Sequence, residues 1–546
     1  MRDNAVGSVP VESVVPDDAP AEVKDLAART DGARVPNFDT TVGVSVQGPG
    51  WKGSPRHRLV VIGDSLTHGF QSGAVFNTDL SYGAIIAYEL GWLDSFRYPR
   101  YPGRGGLPLN IELLLRDLES HVGDSLSIWE LPEALFRARQ FMDDVEDYWE
   151  RGPGSVPPRA ETINHALAVY GWDLRDALGW TTELLEKQIQ TPKDDLFKQI
   201  VENNSERAAL RVYPRAAAYQ GLSLFEAAAQ LGADRDDDTD NGIETLVIFL
   251  GANNALRSVT DLKVSWSGPG YDSLLEKGRY TVWQPEHFRA ELAQVVDAVR
   301  SIKARHVIWC TVPHVTIVPI ARGVGDKLRP GSRYYPYYTR PWIPDKDFDA
   351  NQDPHITGPE ARAVDYAIDL FNKDIEQTVQ TERSGGAPDG QARDWHLLDV
   401  AGVLDRLAAR RYMNDPNARP GWWTPYPLPP ALKALQPEPD SRFLTSDGEG
   451  GRQTGGLFSL DGVHPTTIAY GLIAQEMINI MQAAGVVFHH ANGAVRTGQI
   501  QVDFDRLILR DTLVRHPPKI LRSGLEILAW ADETLDWVRR TLKVRF

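Results

Sequence analysis

The stretch HRLVVIGDSLTHG, residues 57–69, decides the fold of this chain. It begins as a short, apolar, β-branched run and ends on Gly-Asp-Ser, which is typical of a buried strand that turns into a loop. The same design returns in ETLVIFLGANN, residues 244–254, and in ARHVIWCTVPH, residues 304–314. Helical patterns stand between these runs, beginning with SYGAIIAYELG at residue 81 and EHFRAELAQVVDAVRSI at residue 286. Strands that alternate with helices predict βαβ units and a parallel sheet covered on both faces.

Length and composition predict a soluble globular protein. The chain has 546 residues, 42% of them hydrophobic and 24% charged, so it holds either several domains or one α/β core with large insertions. No apolar run approaches the roughly 18 residues of a membrane span, and residues 1–30 lack the pattern of a signal peptide. The single cysteine, Cys310, lies in an apolar run and fits a buried thiol in a reducing compartment. We therefore expect a cytoplasmic protein.

The charge of the chain argues against a nucleic-acid partner. The formal net charge is −16, whereas binding to a phosphate backbone relies on Lys and Arg. The C-terminal stretch ILRSGLEILAWADETLDWVRRTLKV, residues 520–544, alternates apolar and charged faces at helical spacing. Docking onto its own domain is the favoured interpretation, and peripheral contact with a membrane or a partner is the alternative.

The letters Gly-Asp-Ser-Leu occur twice, at residues 63–66 and 123–126. The second copy lies between two helical patterns, where Asp124 or Ser125 is expected to cap a helix. The first copy follows a strand directly, which places Ser65 at the carboxyl edge of the predicted sheet, where ligands of open α/β sheets bind. A serine needs a base before it can act as a nucleophile, so the motif points to chemistry only if the chain supplies partners.

Three further stretches supply such partners. Asp461 and His464 stand three residues apart before a helical pattern, and a carboxylate beside an imidazole leaves Nε2 free to accept the serine proton. Asn253 follows another predicted strand, so its amide could donate to a developing oxyanion. Gly171, in LAVYG before a helix, allows close approach of a backbone N–H group.

In this order, Gly-Asp-Ser-Leu, a glycine block, Gly-x-Asn and Asp-x-x-His resemble the SGNH hydrolase superfamily, also called GDSL esterases and lipases. The resemblance covers about residues 55–490 without the insertions, and it implies a three-layer α/β/α sandwich with a mainly parallel, flavodoxin-like sheet. It also implies that Ser65 is the nucleophile, His464 the base and Asp461 the carboxylate. The oxyanion hole would be formed by Ser65, Gly171 and Asn253.

Two positions qualify this resemblance. Asn254 stands where the family usually has an aspartate, and we expect altered local hydrogen bonding there without loss of activity. For the glycine block, YPGRGGLP at residues 101–108 and Gly221 compete with Gly171. LAVYG followed by a helix is the closest to the stretch that the family usually carries.

We expect a hydrolase domain at residues 55–490, an irregular N-terminal extension at 1–54 and a helical C-terminal extension at 491–546. Insertions interrupt the domain at about residues 92–160, 321–356 and 414–456, which are rich in Pro, Gly or aromatic residues. Long ordered insertions in such folds often serve as lids or binding loops.

Three side chains are weaker candidates for substrate binding. Trp422 and Trp423 could stack on a sugar or wall an acyl chain, and ordinary packing of an insertion explains them equally well. His68 could line the site, although a surface position in the turn after Ser65 is the favoured interpretation.

Residues 233–244 are rich in aspartate but fail the EF-hand pattern, because Asn241 holds the required glycine position. We assign no metal and no cofactor.

The sequence thus predicts a serine ester hydrolase that works through an acyl-enzyme on a small-molecule, lipid or glycan ester. Two alternatives stay open. The first is an acyltransferase in which an alcohol outcompetes water, and the second is a binding protein with a vestigial site.

Overall fold

The computed structural model describes residues 14–29, 32–46, 53, 55–124, 129–158, 161–189, 201–213, 216–234 and 242–521. At its centre lies a five-stranded parallel sheet. Its strands are β1 (His57–Gly63), β2 (Ala166–Ala168), β3 (Ile243–Phe249), β4 (Ala304–Cys310) and β5 (Trp395–Leu398).

The strands follow the order β2-β1-β3-β4-β5 across the sheet, which is the order of flavodoxin-like doubly wound sheets. Val61 pairs with Ala166 of β2 on one side and with Val247 of β3 on the other, so β1 lies inside the sheet between these two strands. Every residue of β1 and β3 is buried, as expected for strands covered on both faces. The structure confirms the expected α/β class and the three long strands.

Helices connect and cover the strands. Within the described residues they are α1 (Ala21–Arg29), α2 (Ser65–His68), α3 (Tyr82–Glu89), α4 (Ile111–Val122), α5 (Leu131–Glu150), α6 (Leu174–Gly179), α7 (Thr182–Gln188), α8 (Asn204–Val212), α9 (Leu224–Ala233), α10 (Arg257–Thr260), α11 (Pro285–Arg300), α12 (Gly358–Ser384), α13 (Val400–Leu407), α14 (Pro430–Lys433), α15 (Thr467–Ala483), α16 (Phe504–Arg510) and α17 (Thr512–Arg515).

The covering helices form two groups. Helices α9 and α12 pack on the sheet, and α11 packs against both of them. Helices α3 and α15 pack together and on the sheet, apart from that group. Gly83 of α3 lies directly against Val61 of β1, where even a Cβ atom would come within 3.2 Å of the valine side chain. The helix boundaries follow local capping. Ser81 caps α3, and Thr357 and Glu360 form the capping box that begins α12.

The insertions add small elements around the carboxyl edge of the sheet. Helices α4 and α5 build a second apolar cluster that includes Phe70 and Tyr170. Three short antiparallel sheets complete these regions. Their strands are Phe70–Gln71, Ala74–Val75 and Leu107–Pro108 in the first, Arg322–Gly323, Tyr337–Thr339 and Ile356–Thr357 in the second, and Thr445–Ser446 and Arg452–Thr454 in the third.

The N-terminal segment covers an edge of the sheet. The N–H of Leu397 in β5 donates to Thr40 O at 2.9 Å, which pairs part of an edge that would otherwise be open. Helix α1 packs on α12. In the part of the chain that the structure describes, no helix combines the length and the apolar character needed to cross a bilayer.

Candidate active site

Ser65 is the first residue of the four-residue helix α2, which follows β1 after a sharp turn at Asp64. Asp64 caps this helix, because its Oδ1 accepts the N–H of Leu66 at 3.1 Å. Gly63 makes the turn possible, since a Cβ there would stand 1.9 Å from Thr67 Oγ1 and 2.7 Å from the carbonyl oxygen of Phe249. The turn holds Ser65 at the carboxyl end of a central strand, where the sequence predicts it.

His464 and Asp461 form a hydrogen-bonded pair in the loop that precedes α15. The ring Nδ1 of His464 donates to Asp461 Oδ2 at 3.0 Å. Backbone N–H groups of Val463 and His464 donate to Oδ1 at 2.9 and 2.8 Å, and the N–H of Gly73 donates to Oδ2 at 3.0 Å. Burial raises the pKa of Asp461, but the charge of His464 and these hydrogen bonds outweigh it, so the pKa lies below its usual value. An ionised Asp461 therefore holds the imidazole with Nδ1 protonated.

The other ring nitrogen of His464 is free to act. His464 is 2% exposed, and its Nε2 has no hydrogen-bond partner among the described residues. The ring of Phe70 packs against the imidazole, with the two centroids 4.5 Å apart. A buried, unpartnered acceptor is uncommon in native structures and calls for an explanation. A role as general base would explain the unpartnered Nε2, because catalytic hydrogen bonds often form fully only when substrate is bound.

Two polar groups predicted for the oxyanion hole lie nearby. Asn253 follows β3, and its Nδ2 donates one hydrogen bond to Trp172 O at 2.8 Å. Because an amide nitrogen carries two N–H groups, the second stays available. Gly171 has a φ of 74°, a backbone conformation that favours glycine. Within the described residues, no acceptor is found for the backbone N–H of either Gly171 or Ser65.

One cavity brings these groups together. Its walls are formed by Ser65, Phe70, Tyr170, Gly171, Asn253, Leu256, Arg257, Thr260 and His464. The cavity has a volume of about 10 Å³, which is room for about one water molecule. The structure therefore places the predicted serine, histidine, glycine and asparagine around one small space, with Asp461 behind the histidine.

A second cavity adjoins the first and shares three of its residues, Gly171, Asn253 and Arg257. Its volume is about 70 Å³. The remaining walls are a mixture of aromatic, aliphatic and charged side chains, namely Asp173, Asp176, Trp180, Leu274, Leu275, Lys277, Gly278, Tyr280 and Trp283. The buried ammonium of Lys277 donates to both Asp173 and Asp176.

Asp64, next to the serine, carries an unusual carboxyl group. It is fully buried, and Oδ2 has no hydrogen-bond partner within the described residues. Burial raises the pKa of Asp64 to about 7, although the hydrogen bond from Leu66 and the charge of His464 oppose the shift.

His68 corrects one expectation, since it is 3% exposed and does not lie at the surface. Its Nδ1 accepts the N–H of Tyr170 at 3.2 Å, and its Nε2 lies 2.6 Å from Tyr101 Oη, which donates to Ala208 O at 3.0 Å. Burial lowers the pKa of His68 to about 3, so the ring is neutral and Nε2 is the donor. His68 does not belong to the cavity wall and instead ties α2 to the residue before Gly171.

Trp422 and Trp423 pack against residues that directly precede their insertion. Both rings lie beside Tyr412, with centroids 6.3 and 6.1 Å from it. Trp423 Nε1 donates to Asp405 O at 2.9 Å, and the guanidinium of Arg419 lies over its ring. Neither tryptophan lines the cavity at Ser65.

Asn254, the departure from the family pattern, is completely buried. Its Oδ1 accepts the N–H of Leu174 at 3.4 Å, and its Nδ2 donates to Glu291 Oε2 at 3.4 Å. Burial, followed by the charge of Asp173, raises the pKa of Glu291 to about 8. An aspartate at 254 would place a second carboxyl against Glu291, whereas the amide can donate to it. The neighbouring carboxyl explains why an asparagine suits this position.

Three stretches for which the sequence makes predictions lie partly or wholly outside the described ranges. The second Gly-Asp-Ser-Leu copy, with Ser125, is one of them. The copy does lie between two helices, since α4 ends at Val122 and α5 begins at Leu131. The expected cap is wrong for Asp124, because the N-cap of α5 is Glu130 and Asp124 instead accepts from Lys519 Nζ at 2.9 Å. Most of the acidic stretch at 233–244 and nearly all of the amphipathic stretch at 520–544 also lie outside these ranges.

The sequence did not reveal the apolar and positioning parts of the site. Phe70, Tyr170 and Leu256 line the cavity, but aromatic and aliphatic residues are common throughout the chain and carry no local signature. The N–H of Gly73 reaches Asp461 across 388 residues of sequence. A backbone donor of this kind cannot be recognised from residue type.

No protein-family model matches the chain, and no curated protein matches its sequence. The fold and the site define its class on their own. It is a doubly wound α/β protein in which a serine, a histidine–aspartate pair and amide donors lie at the carboxyl edge of the sheet.

Proposed function

We propose that this protein is a serine ester hydrolase of the SGNH type. The observation that carries the proposal is the unpartnered Nε2 of His464, held by Asp461 at Nδ1 and lining the same cavity as Ser65. A serine, a base and a carboxylate that orients the base are recognised as a triad by geometry and role, whatever their order in the chain.

In the proposed reaction, Ser65 Oγ attacks the acyl carbonyl while His464 Nε2 accepts its proton. The carbonyl oxygen becomes an oxyanion that accepts hydrogen bonds from the N–H groups of Ser65 and Gly171 and from the free N–H of Asn253. The C–O bond to the alcohol then breaks, and His464 returns the proton to the leaving oxygen. Water repeats the sequence on the acyl-enzyme and releases a carboxylic acid and free Ser65.

The size of the cavity favours a short acyl group. Room for about one water beside Ser65 is far less than a long acyl chain needs, so a long chain would require a larger movement of the walls than an acetyl group. The adjoining cavity mixes tryptophan, tyrosine, carboxylate and ammonium groups, which suits a polar alcohol part better than an alkyl chain. We therefore propose short-chain esters of polar alcohols as substrates.

A panel of p-nitrophenyl esters of increasing chain length, run beside acetylated sugars, tests the proposal. Hydrolysis should be fastest for acetate, absent in Ser65→Ala and close to wild type in Ser125→Ala, which is the matched control in the second Gly-Asp-Ser-Leu copy. Folded protein that hydrolyses no ester would contradict the proposed activity. A preference for long chains would contradict only the proposed acyl size.

A further inference from the structure

Two histidines and an aspartate meet at the opposite edge of the sheet from Ser65. His306 lies near the start of β4, Asp394 immediately precedes β5, and His396 is the second residue of β5. One ligand atom from each of the three side chains lies within 4.8 Å of the others. The strands bring them together, since the N–H of Val307 donates to Asp394 O at 3.1 Å.

The contacts within this cluster leave one imidazole unsatisfied. His306 Nδ1 lies 2.6 Å from Asp394 Oδ2 and forms a hydrogen bond with it. His396 Nε2 lies 3.1 Å from Asp394 Oδ1, which is ion-pair distance for a protonated imidazole. Neither ring nitrogen of His396 has a hydrogen-bond partner among the described residues, although this residue is only 4% exposed. Buried polar atoms left in this way are costly.

Another buried histidine pair shows what a purely structural arrangement looks like in this chain. His57 Nδ1 pairs with His165 Nε2 at 3.0 Å, and His57 Nε2 pairs with Asp234 at 2.9 Å. His165 Nδ1 accepts the N–H of Arg97 at 2.9 Å. All four ring nitrogens are satisfied there, so that pair has no nitrogen left for a ligand. His396 differs from this pair, because both of its ring nitrogens lack a hydrogen-bond partner within the described residues.

The carboxylate of Asp394 accepts a hydrogen bond from an arginine outside the cluster. Arg383, at the end of α12, donates from Nη1 to Asp394 Oδ1 at 2.9 Å and to Trp395 O at 2.6 Å. Ligating carboxylates are commonly oriented by such outer hydrogen bonds. The Asp394 side chain is 21% exposed, which leaves a route by which an ion can enter.

We propose that His306, Asp394 and His396 bind a divalent transition-metal ion, with zinc as the best match. Two imidazoles and one carboxylate form a known zinc ligand set, and water completes the tetrahedron. Ligand atoms on one zinc at about 2.0 Å stand roughly 3.3 Å apart, so small side-chain shifts close the cluster. The ion would join β4 to the edge strand β5 and so stabilise the fold, far from Ser65.

Zinc titration of the full chain, after removal of metal with a chelator, tests this site. Calorimetry should show one tight equivalent of zinc, and zinc should raise the melting temperature. His306→Gln and His396→Gln should each weaken that binding at least tenfold and remove the thermal shift. The exposed His490 provides the control, and His490→Gln should leave both unchanged. Tight binding that persists in both folded cluster variants would overturn the site.

X-ray absorption on the zinc-loaded wild type keeps the test independent of how the variants fold. The site requires two imidazole ligands and oxygen ligands at about 2.0–2.2 Å. Fewer than two imidazoles, sulfur ligation, or no saturable zinc binding by the wild type would overturn the proposal.

Discussion

At the scale of single residues, Asn253 and Asn254 are neighbours in one motif but lie in different surroundings. Asn253 lines the cavity and keeps one amide N–H available. Asn254 points the other way into the protein, where it is buried between Leu174 and Glu291. The first is expected to serve turnover and the second to serve stability.

Replacing each asparagine by alanine separates these roles. Asn253→Ala should lower kcat by about 10²–10³-fold, the usual loss for one oxyanion donor, with little change in KM. Asn254→Ala leaves buried polar groups unpaired and should lower the free energy of unfolding by about 1–3 kcal/mol, with a much smaller effect on kcat. Steady-state kinetics and urea unfolding provide the two measurements. Equal losses of kcat in both variants would contradict the assignment of Asn253.

Asp64 gives a prediction about pH and stability. Burial raises its pKa from 3.8 to about 7 in the folded state, so folded protein holds a proton that unfolded protein releases. The contribution of this group to stability is therefore greatest below about pH 4 and falls as pH rises toward 7, by up to about 1.4 kcal/mol per pH unit. Asp64→Asn keeps the cap acceptor and cannot ionise.

The advantage of Asp64→Asn over wild type should therefore grow between pH 5 and pH 8. Urea unfolding at the two pH values measures it, with Asp79→Asn as a control at an acidic residue that is not buried. Parallel stability profiles for wild type and Asp64→Asn would show that the buried carboxyl does not titrate in this range.

At the scale of elements, the site is assembled from loops that follow β1, β2 and β3 and from the loop before α15. His68 connects two of them, because it belongs to α2 and accepts the N–H of Tyr170 after β2. The position of the Gly171 N–H therefore depends on a buried histidine that does not line the cavity.

His68→Ala removes this connection. The N–H of Tyr170 would lose its acceptor, and we expect kcat to fall by roughly tenfold, about 1.4 kcal/mol, through displacement of the Gly171 donor. KM should change less, and the effect should not vary between pH 5 and 8, because the pKa of His68 is lowered to about 3. Thermal melting serves as the control for folding. Reduced stability with unchanged kcat would show that His68 has only a packing role.

Sequence predicted the long elements well and the short ones poorly. β1, β3 and β4 are continuous apolar runs of seven residues, and the capping box at Thr357 marks the start of α12. β2 and β5 have three and four residues, too few for any periodicity, and they become strands because neighbouring strands pair with them. His68 was misplaced for a related reason, since its burial comes from Tyr101 and the insertion around it.

At the scale of the whole molecule, the site joins segments that are far apart in the chain. Ser65 and His464 are brought together by the sheet and by α15, while Phe70 and Tyr170 connect the cavity to the cluster built by α4 and α5. The polar residues that line the cavity could be predicted because acid, base and amide chemistry restricts residue types. The cavity walls could not, because packing is satisfied by many apolar side chains.

The molecule as a whole should show base catalysis without dependence on metal for turnover. Nε2 of His464 must be unprotonated to accept the serine proton, so kcat/KM should fall with a one-proton slope as pH is lowered. Asp461→Asn should lower turnover, because the amide no longer holds the imidazole with Nδ1 protonated. EDTA should leave kcat/KM unchanged, since the His306 cluster lies at the far edge of the sheet. An EDTA-sensitive rate with a flat pH profile would contradict a serine mechanism.

Labelling with a fluorophosphonate, followed by peptide mass spectrometry, tests the central claim most directly. This reagent reacts with serines that an adjacent base activates, so a stoichiometric adduct should appear on the peptide that contains Ser65. The adduct should be absent from Ser65→Ala and strongly reduced in His464→Ala, and it should persist in Ser125→Ala. Folded wild-type protein that takes up no label, or that carries the label on Ser125, would contradict the account.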